Sequence, residues 1–218
     1  MADQKRIELN VVMPVYGREH QSIAAIKQLR ATAGYEASWT VIGGLNEAGT
    51  LNMMPNTCRR ITATHDTLTY WQALALATQY TEDDVYIVNV ASDVLGVNGW
   101  LKRAADYLTA RPDVVFGFNG DGYEDYHACH FAIQMRKIRQ YGGWPQWYYH
   151  NFGDTEIIQR AIAESAFHKD AWAILFHNHP YVAGADSDDV YQRGNSTYER
   201  DMLLYERRRR ANWTFMPT

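Results

Sequence analysis

Short, almost uninterrupted apolar runs punctuate this chain, and they limit its fold more than any other feature. "LNVVMPVY" (Leu9 to Tyr16), "SWTVIGG" (Ser38 to Gly44), "DVYIVNVA" (Asp84 to Ala91) and "DVVFGFNG" (Asp113 to Gly120) lack the alternation of a half-wet sheet. They read as strands covered on both faces. Helical spacing separates them. "HQSIAAIKQLRATAG" sets Ile23, Ile26 and Leu29 on one face and stops at Gly34. "TLTYWQALALATQY" spaces Leu68, Trp71 and Ala75 likewise, and "NGWLKRAADYLTA" is the third helix. Strand alternating with helix predicts an α/β fold: a mostly parallel central sheet with helices on both faces. Ligands of such sheets bind beyond the carboxyl ends of the strands. Tyr16-Gly17-Arg18, Asn46-Glu47 and Ser92-Asp93 all fall there.

The remainder is patterned differently. "YGGWPQWYYHNFG" (Tyr141 to Gly153) concentrates aromatics beside glycines. "GDTEIIQRAIAES" reads as a helix starting near Asp154, and "DAWAILF" (Asp170 to Phe176) as a short strand running into "HNHP". Ser196-Thr197-Tyr198-Glu199 has the form of a capping box opening a last helix, with Tyr198, Met202 and Tyr205 on one face. No repeat or low-complexity linker interrupts the 218 residues, so 1–218 reads as a single domain.

Composition excludes several classes. Apolar residues are 46% and charged residues 21%, as in an ordinary globular chain rather than a disordered one. A net charge of −4 argues against broad non-specific binding to nucleic acid, leaving "ERRRR" (Glu206 to Arg210) as a local basic candidate. "MADQKRIELN" has no apolar signal region, and no run of about 18 apolar residues is present to span a bilayer. The two cysteines, Cys58 and Cys129, form no CxxC pair. A cytoplasmic protein with reduced thiols is expected.

Each polar candidate carries two readings. Asp93, where a central strand ends, either ligates Mg²⁺ or Mn²⁺ or closes an Asx-turn. His177 and His179 are two apart, so in extended chain they face the same way; they offer nitrogens to a metal or form a plain surface pair. Asp154 and Glu156, opening a helix, either take a proton from an attacking hydroxyl or compensate the helix dipole. The aromatic run either stacks on sugars and bases or packs the second half onto the sheet. "RRRR" is a solvated helix face or a phosphate contact.

In their order these segments resemble a GT-A-type glycosyltransferase, most similar to the small single-domain bacterial and phage members of family 2. "NVVMPVYGRE" stands where that family has a "VVIPVYN"-like first strand. "VIGGLNEAG" occupies the acidic turn, with Asn46 and Glu47 for the usual paired Asp. "ASDVLGVNGWL" matches a DxD-like motif followed by "GWL", with Ala91 for the first Asp. "GDTEIIQR" matches a "GEDxDLxxR"-like helix start. The likeness covers roughly residues 7 to 180.

The resemblance implies a GT-A fold, with about 7–120 as the nucleotide-sugar-binding half and about 121–218 as the acceptor-side half with the C-terminal helix. It implies Asp154 as catalytic base, and a donor bound by Pro14, Val15, Tyr16, Arg18, Asn46, Glu47, Ser92 and Asp93. Mn²⁺ or Mg²⁺ would sit on Asp93 with His177 or His179. Trp144, Trp147, Tyr148 and Glu156 would lie on the acceptor side. The expected activity is inverting, metal-assisted transfer of a sugar to a hydroxyl of a glycan or lipid-linked sugar. Two alternatives are a phage-type enzyme modifying hydroxymethylated pyrimidines in DNA, and a non-catalytic sugar- or nucleotide-binding relative that Ala91 would mark.

Overall fold

A computed structural model describes residues 6–122, 125–178 and 188–217 of the protein, so His179 lies outside the described residues. The apolar runs become β1 (Leu9–Pro14), β2 (Ser38–Gly43), β4 (Tyr86–Asn89) and β6 (Val115–Asn119). β3 (Arg59–Thr62), β5 (Val94–Gly96), β7 (Phe131–Gln134) and β8 (Phe167–His177) complete an eight-stranded sheet of order β3-β2-β1-β4-β7-β6-β8-β5. Every residue of β1 and β4 is buried, which is why neither strand alternates. The pairs β1–β2, β1–β4, β2–β3 and β6–β8 are parallel. β7 lies antiparallel between β4 and β6, and β5 antiparallel to β8, so the sheet is mostly parallel, as expected.

Neighbouring residues of one strand feed opposite cores. Val11 and Met13 face α1 (Glu19–Thr32) and α4 (Trp100–Ala110), joining Ile26, Leu29, Trp100 and Leu108. Val12 faces the other way, with Trp71 and Leu74 of α3 (Tyr70–Thr78), Ile138 of α5 (Met135–Gln140) and Ile157 of α6 (Gly153–Ala163). A three-residue 3₁₀ turn (Leu45–Glu47) runs into α2 (Ala48–Met53), and α7 (Asp189–Ser196) and α8 (Tyr198–Arg210) close the described chain.

Local expectations need correction at several points. β8 begins at Phe167, not Asp170, because Phe167–Asp170 pair with β6 before a register shift at Phe118/Asn119. The capping box at 196–199 does not form: Ser196 Oγ and Thr197 Oγ1 donate to the carbonyls of Arg193 and Gly194, finishing α7 instead. Such a box forms at Thr69 and Gln72, opening α3.

Two members of the aromatic run, Trp144 and Tyr148, are core. Trp144 stacks with Trp71 at 6.4 Å between centroids, and its Nε1 donates to Thr78 Oγ1 at 2.8 Å. Tyr148 is fully buried, and its hydroxyl donates to Glu156 Oε2 at 2.9 Å. Arg208 is fully buried too; Nε and Nη2 donate to the two Glu156 oxygens, each at 2.7 Å. Its guanidinium also lies 4.0 Å over the Trp147 ring. "RRRR" is therefore not uniform: one arginine fastens α8 to α6, while Arg209 stays exposed beside Glu206.

Candidate active site

A cavity of about 820 Å³ opens beyond the carboxyl ends of β1 and β4. That is within the roughly 300–1,000 Å³ of small-ligand sites. Pro14 at the end of β1 and Val15, Tyr16 and Arg18 from the turn after it line the cavity, with Ser92 and Asp93 from the turn after β4. His177 reaches it from the end of β8 and Asp154 from the first turn of α6. One cavity thus gathers these eight residues, which are far apart in sequence.

Asp93 is the hub of one wall. Arg18 Nη1 donates to its Oδ2 at 2.8 Å, and the Tyr191 hydroxyl donates to the same oxygen. The same guanidinium grips Asp188, with Nε to Oδ2 at 2.6 Å and Nη2 to Oδ1 at 2.8 Å. It also stacks 4.2 Å over the Tyr191 ring. Asp188 in turn caps α7, accepting the Val190 and Tyr191 N–H groups. Burial opposes charge on Asp93, but His177, Tyr191 and Arg18 outweigh it and hold the carboxyl well below its ordinary range.

The other oxygen, Asp93 Oδ1, is buried and faces His177 Nε2 at 3.3 Å. Adjacent ligands about 2.1 Å from an octahedral cation are about 3.0 Å apart. The spacing of this oxygen and His177 Nε2 therefore suits two ligands of one Mn²⁺ or Mg²⁺. His130 packs edge-on against His177 at 5.0 Å, with neither ring nitrogen bonded among the described residues. Burial, then the neighbouring His177, lowers its pKa to about 4, so it is neutral at pH 7.

Asp154 anchors a second wall. Phe152, just outside α6, sits in the left-handed region at φ 67°, and its ring stacks on Tyr205 at 5.3 Å. Strained backbone of this kind marks functional sites when packing enforces it. Gly153 follows because a Cβ there would enter the Trp71 indole. Asp154 Oδ1 accepts the Thr155 N–H at 2.7 Å, and Oδ2 lies 3.6 Å from His127 Nε2. Burial disfavours its charge, yet His127 and the Thr155 N–H lower its pKa, so it stands ionised. Burial likewise works against charge on His127, and Asp154 raises its pKa in spite of it. Cys129 Sγ lies 3.7 Å from His127 Nε2. Burial and then the Asp154 carboxylate push this thiol well up.

Other candidates lie elsewhere. Glu47 Oε1 accepts the Gly17 N–H at 3.0 Å and so shapes the turn after β1. Neither it nor Asn46 is among the described residues lining the cavity. Trp144, Trp147, Tyr148 and Glu156 do not line it either, since they pack between α6 and α8 and against α3. The aromatic rim consists instead of Tyr126, Tyr149 and Tyr198, each at least half exposed. Sequence reasoning missed His127, Cys129, His130, Asp188 and Tyr191. The compact "HACH" run (His127 to His130) was the available signal for the first three.

No protein-family profile matches the chain, and no curated protein does. Solved structures do resemble it. TarS of S. aureus superposes with a TM-score of 0.62 at 12% identity, over 78% of this chain and 36% of TarS. TarS 1-349 in complex with UDP-GlcNAc gives 0.61 at 10% identity, over 90% of this chain and 67% of that one. The mannosyltransferase PcManGT from Pyrobaculum calidifontis, in complex with GDP-Man and Mn²⁺, gives 0.59 at 15% identity, over 76% and 54%. The chain thus spans between 36% and 67% of the length of these proteins. Among the described residues no helix is long and apolar enough to cross a membrane. The strand order, the cavity at the strand ends and these superpositions give the chain the GT-A glycosyltransferase fold.

Proposed function

We propose that the chain moves a sugar from a nucleoside-diphosphate sugar to an acceptor hydroxyl, with inversion at the sugar carbon and assistance from a divalent cation. The observation that carries this reading is one cavity with two ionised carboxylates on different walls, each with its own partners. Asp93 has Arg18 on one oxygen and His177 3.3 Å from the other; Asp154 is ionised on the wall formed by α6. The neighbours' complexes with UDP-GlcNAc and GDP-Man support this donor class.

Asp93 and His177 would hold the cation, which when bound supplies positive charge to the departing diphosphate. Arg18, held between Asp93 and Asp188, offsets one of the two carboxylate charges on the same wall. Asp154 takes the proton of the acceptor hydroxyl as it attacks opposite the leaving group, which inverts the carbon. Tyr126, Tyr149 and Tyr198 present faces on which sugar rings stack. The acceptor proposed is accordingly a glycan or a lipid-linked sugar.

Thermal unfolding with UDP-, GDP- and dTDP-sugars, with and without Mn²⁺, tests the donor. One donor should raise Tm, and more so with Mn²⁺, because a ligand of the native state stabilises it by mass action. No shift with any of them would remove the reading. Donor turnover with a glycan, a lipid-linked sugar and hydroxymethylated DNA then separates the acceptors.

A further inference from the structure

We propose that His127, Cys129 and Asp154 form a second cation site, built for a soft divalent ion of the Zn²⁺ class and separate from the Asp93–His177 pair. The three ligand atoms lie within 4.8 Å of one another. Tetrahedral Zn²⁺, with bonds of about 2.0–2.3 Å, separates a nitrogen from an oxygen by about 3.3 Å and from a sulfur by about 3.6 Å. The corresponding spacings here are 3.6 Å and 3.7 Å, within a few tenths of an ångström of these, and the sulfur lies within 4.8 Å of the carboxylate.

The ligand types choose the ion. A thiolate and an imidazole favour Zn²⁺ over Mg²⁺ or Mn²⁺, which prefer oxygen. Three protein ligands beside a cavity leave the fourth tetrahedral position for water or another small ligand.

The loop that carries the ligands is held on both sides, as an organised site requires. Asp121 Oδ2 accepts the Cys129 N–H at 2.9 Å, while its Oδ1 accepts from buried Lys169 at 2.9 Å. Asn89, fully buried at the end of β4, donates to the Cys129 carbonyl at 3.0 Å and accepts the Phe131 N–H at 2.8 Å. His127 is buried, and Cys129 and Asp154 are half-buried, so the ligands are placed before any ion arrives. Binding releases the thiol proton to solvent.

Asp154 is shared between this site and the proposed reaction. An ion here takes the carboxylate needed as base, so Zn²⁺ inhibits a transfer that Mn²⁺ supports. That consequence rests on the proposed function, whereas the binding does not.

The test uses the metal-stripped full chain with Co²⁺ as an optical probe of the Zn²⁺ site. A thiolate-to-cobalt absorption band should grow to one equivalent and be abolished by Zn²⁺. Cys58→Ser should keep the band and Cys129→Ser should lose it, which assigns the sulfur between the two cysteines of the chain. His127→Gln should weaken Co²⁺ binding by at least about tenfold. Circular dichroism must show each variant folded; if Cys129→Ser is not, the His127→Gln result decides. No band in the wild type, a band that survives Cys129→Ser, or wild-type affinity in His127→Gln overturns the site. Zn²⁺ inhibition of donor turnover is read separately, so an inactive protein would sink the transferase reading and leave the cobalt result standing.

Discussion

Arg18 Nη1 lies 2.8 Å from Asp93 Oδ2, and the side chains are 7% and 2% exposed. The pair joins the turn after β1 to the turn after β4, and it explains how a motif with Ala91 keeps a charged acid in a dry position. A buried carboxylate needs a partner, and here the partner is a guanidinium itself braced by Asp188. If Arg18 also meets the donor's diphosphate, Arg18→Gln should raise the donor KM by roughly 10- to 150-fold, the equivalent of about 1.5–3 kcal/mol for a charge-assisted hydrogen bond. Steady-state kinetics at saturating Mn²⁺ reads this; an unchanged KM would confine Arg18 to holding Asp93.

Arg208 and Glu156 should matter for stability more than any surface ion pair. Removing one member of a buried pair costs about 3–5 kcal/mol, because the other charge stays buried alone. Arg208→Ala should lower urea stability by that amount, while exposed Arg209→Ala stays within about 0.5 kcal/mol. Equal effects would mean that α8 is not fastened through this pair.

The fold was legible where burial is complete. β1, β2, β4 and β6 are continuous apolar runs because both faces are covered, and α1 and α4 follow with clear periodicity. β7 was not legible, since four residues after "HACH" carry no pattern and only pairing with β4 and β6 defines them. Of the candidate site, Arg18, Asp93, Asp154 and His177 were named from the ends of separate strands and helices, and they share one cavity. The aromatic run divides: Trp144 and Tyr148 fill the core while Tyr149 and Phe152 line the cavity, and the sequence carries the same signal for both uses. Tyr126, Tyr149 and Tyr198, which do face the cavity, come from three separate segments.

His130 gives stability a pH dependence with a definite sign. Its folded pKa is about 4 against 6.5 in the unfolded chain, so only the unfolded state takes up the proton between those values. Its contribution is therefore complete above the unfolded pKa and declines as pH falls from 6.5 towards 4. Between pH 7 and pH 5 the wild type should lose about 2 kcal/mol more than His130→Phe, measured by urea unfolding with chelator present. Parallel pH profiles would show that His130 is not kept neutral by burial.

Gly153 sets the position of Asp154. Gly153→Ala forces a Cβ into the Trp71 indole, and overpacking of this kind costs about 1–3 kcal/mol. The start of α6 should shift, and kcat should fall by roughly 100-fold, since small misplacements of a catalytic group are costly. Trp71→Phe in the same chain should restore part of both losses; no restoration would place the strain elsewhere.

The proton acceptor is the centre of the account, and Asp154→Asn tests it most directly. Turnover of the nucleoside-diphosphate sugar that raises Tm is measured with Mn²⁺ and a hydroxyl acceptor, alongside donor KM and the circular dichroism spectrum. The account expects kcat to fall by about 10²–10⁴-fold with the fold and donor KM retained, because the base acts only as the proton moves. Near-normal kcat in a folded Asp154→Asn protein would contradict it.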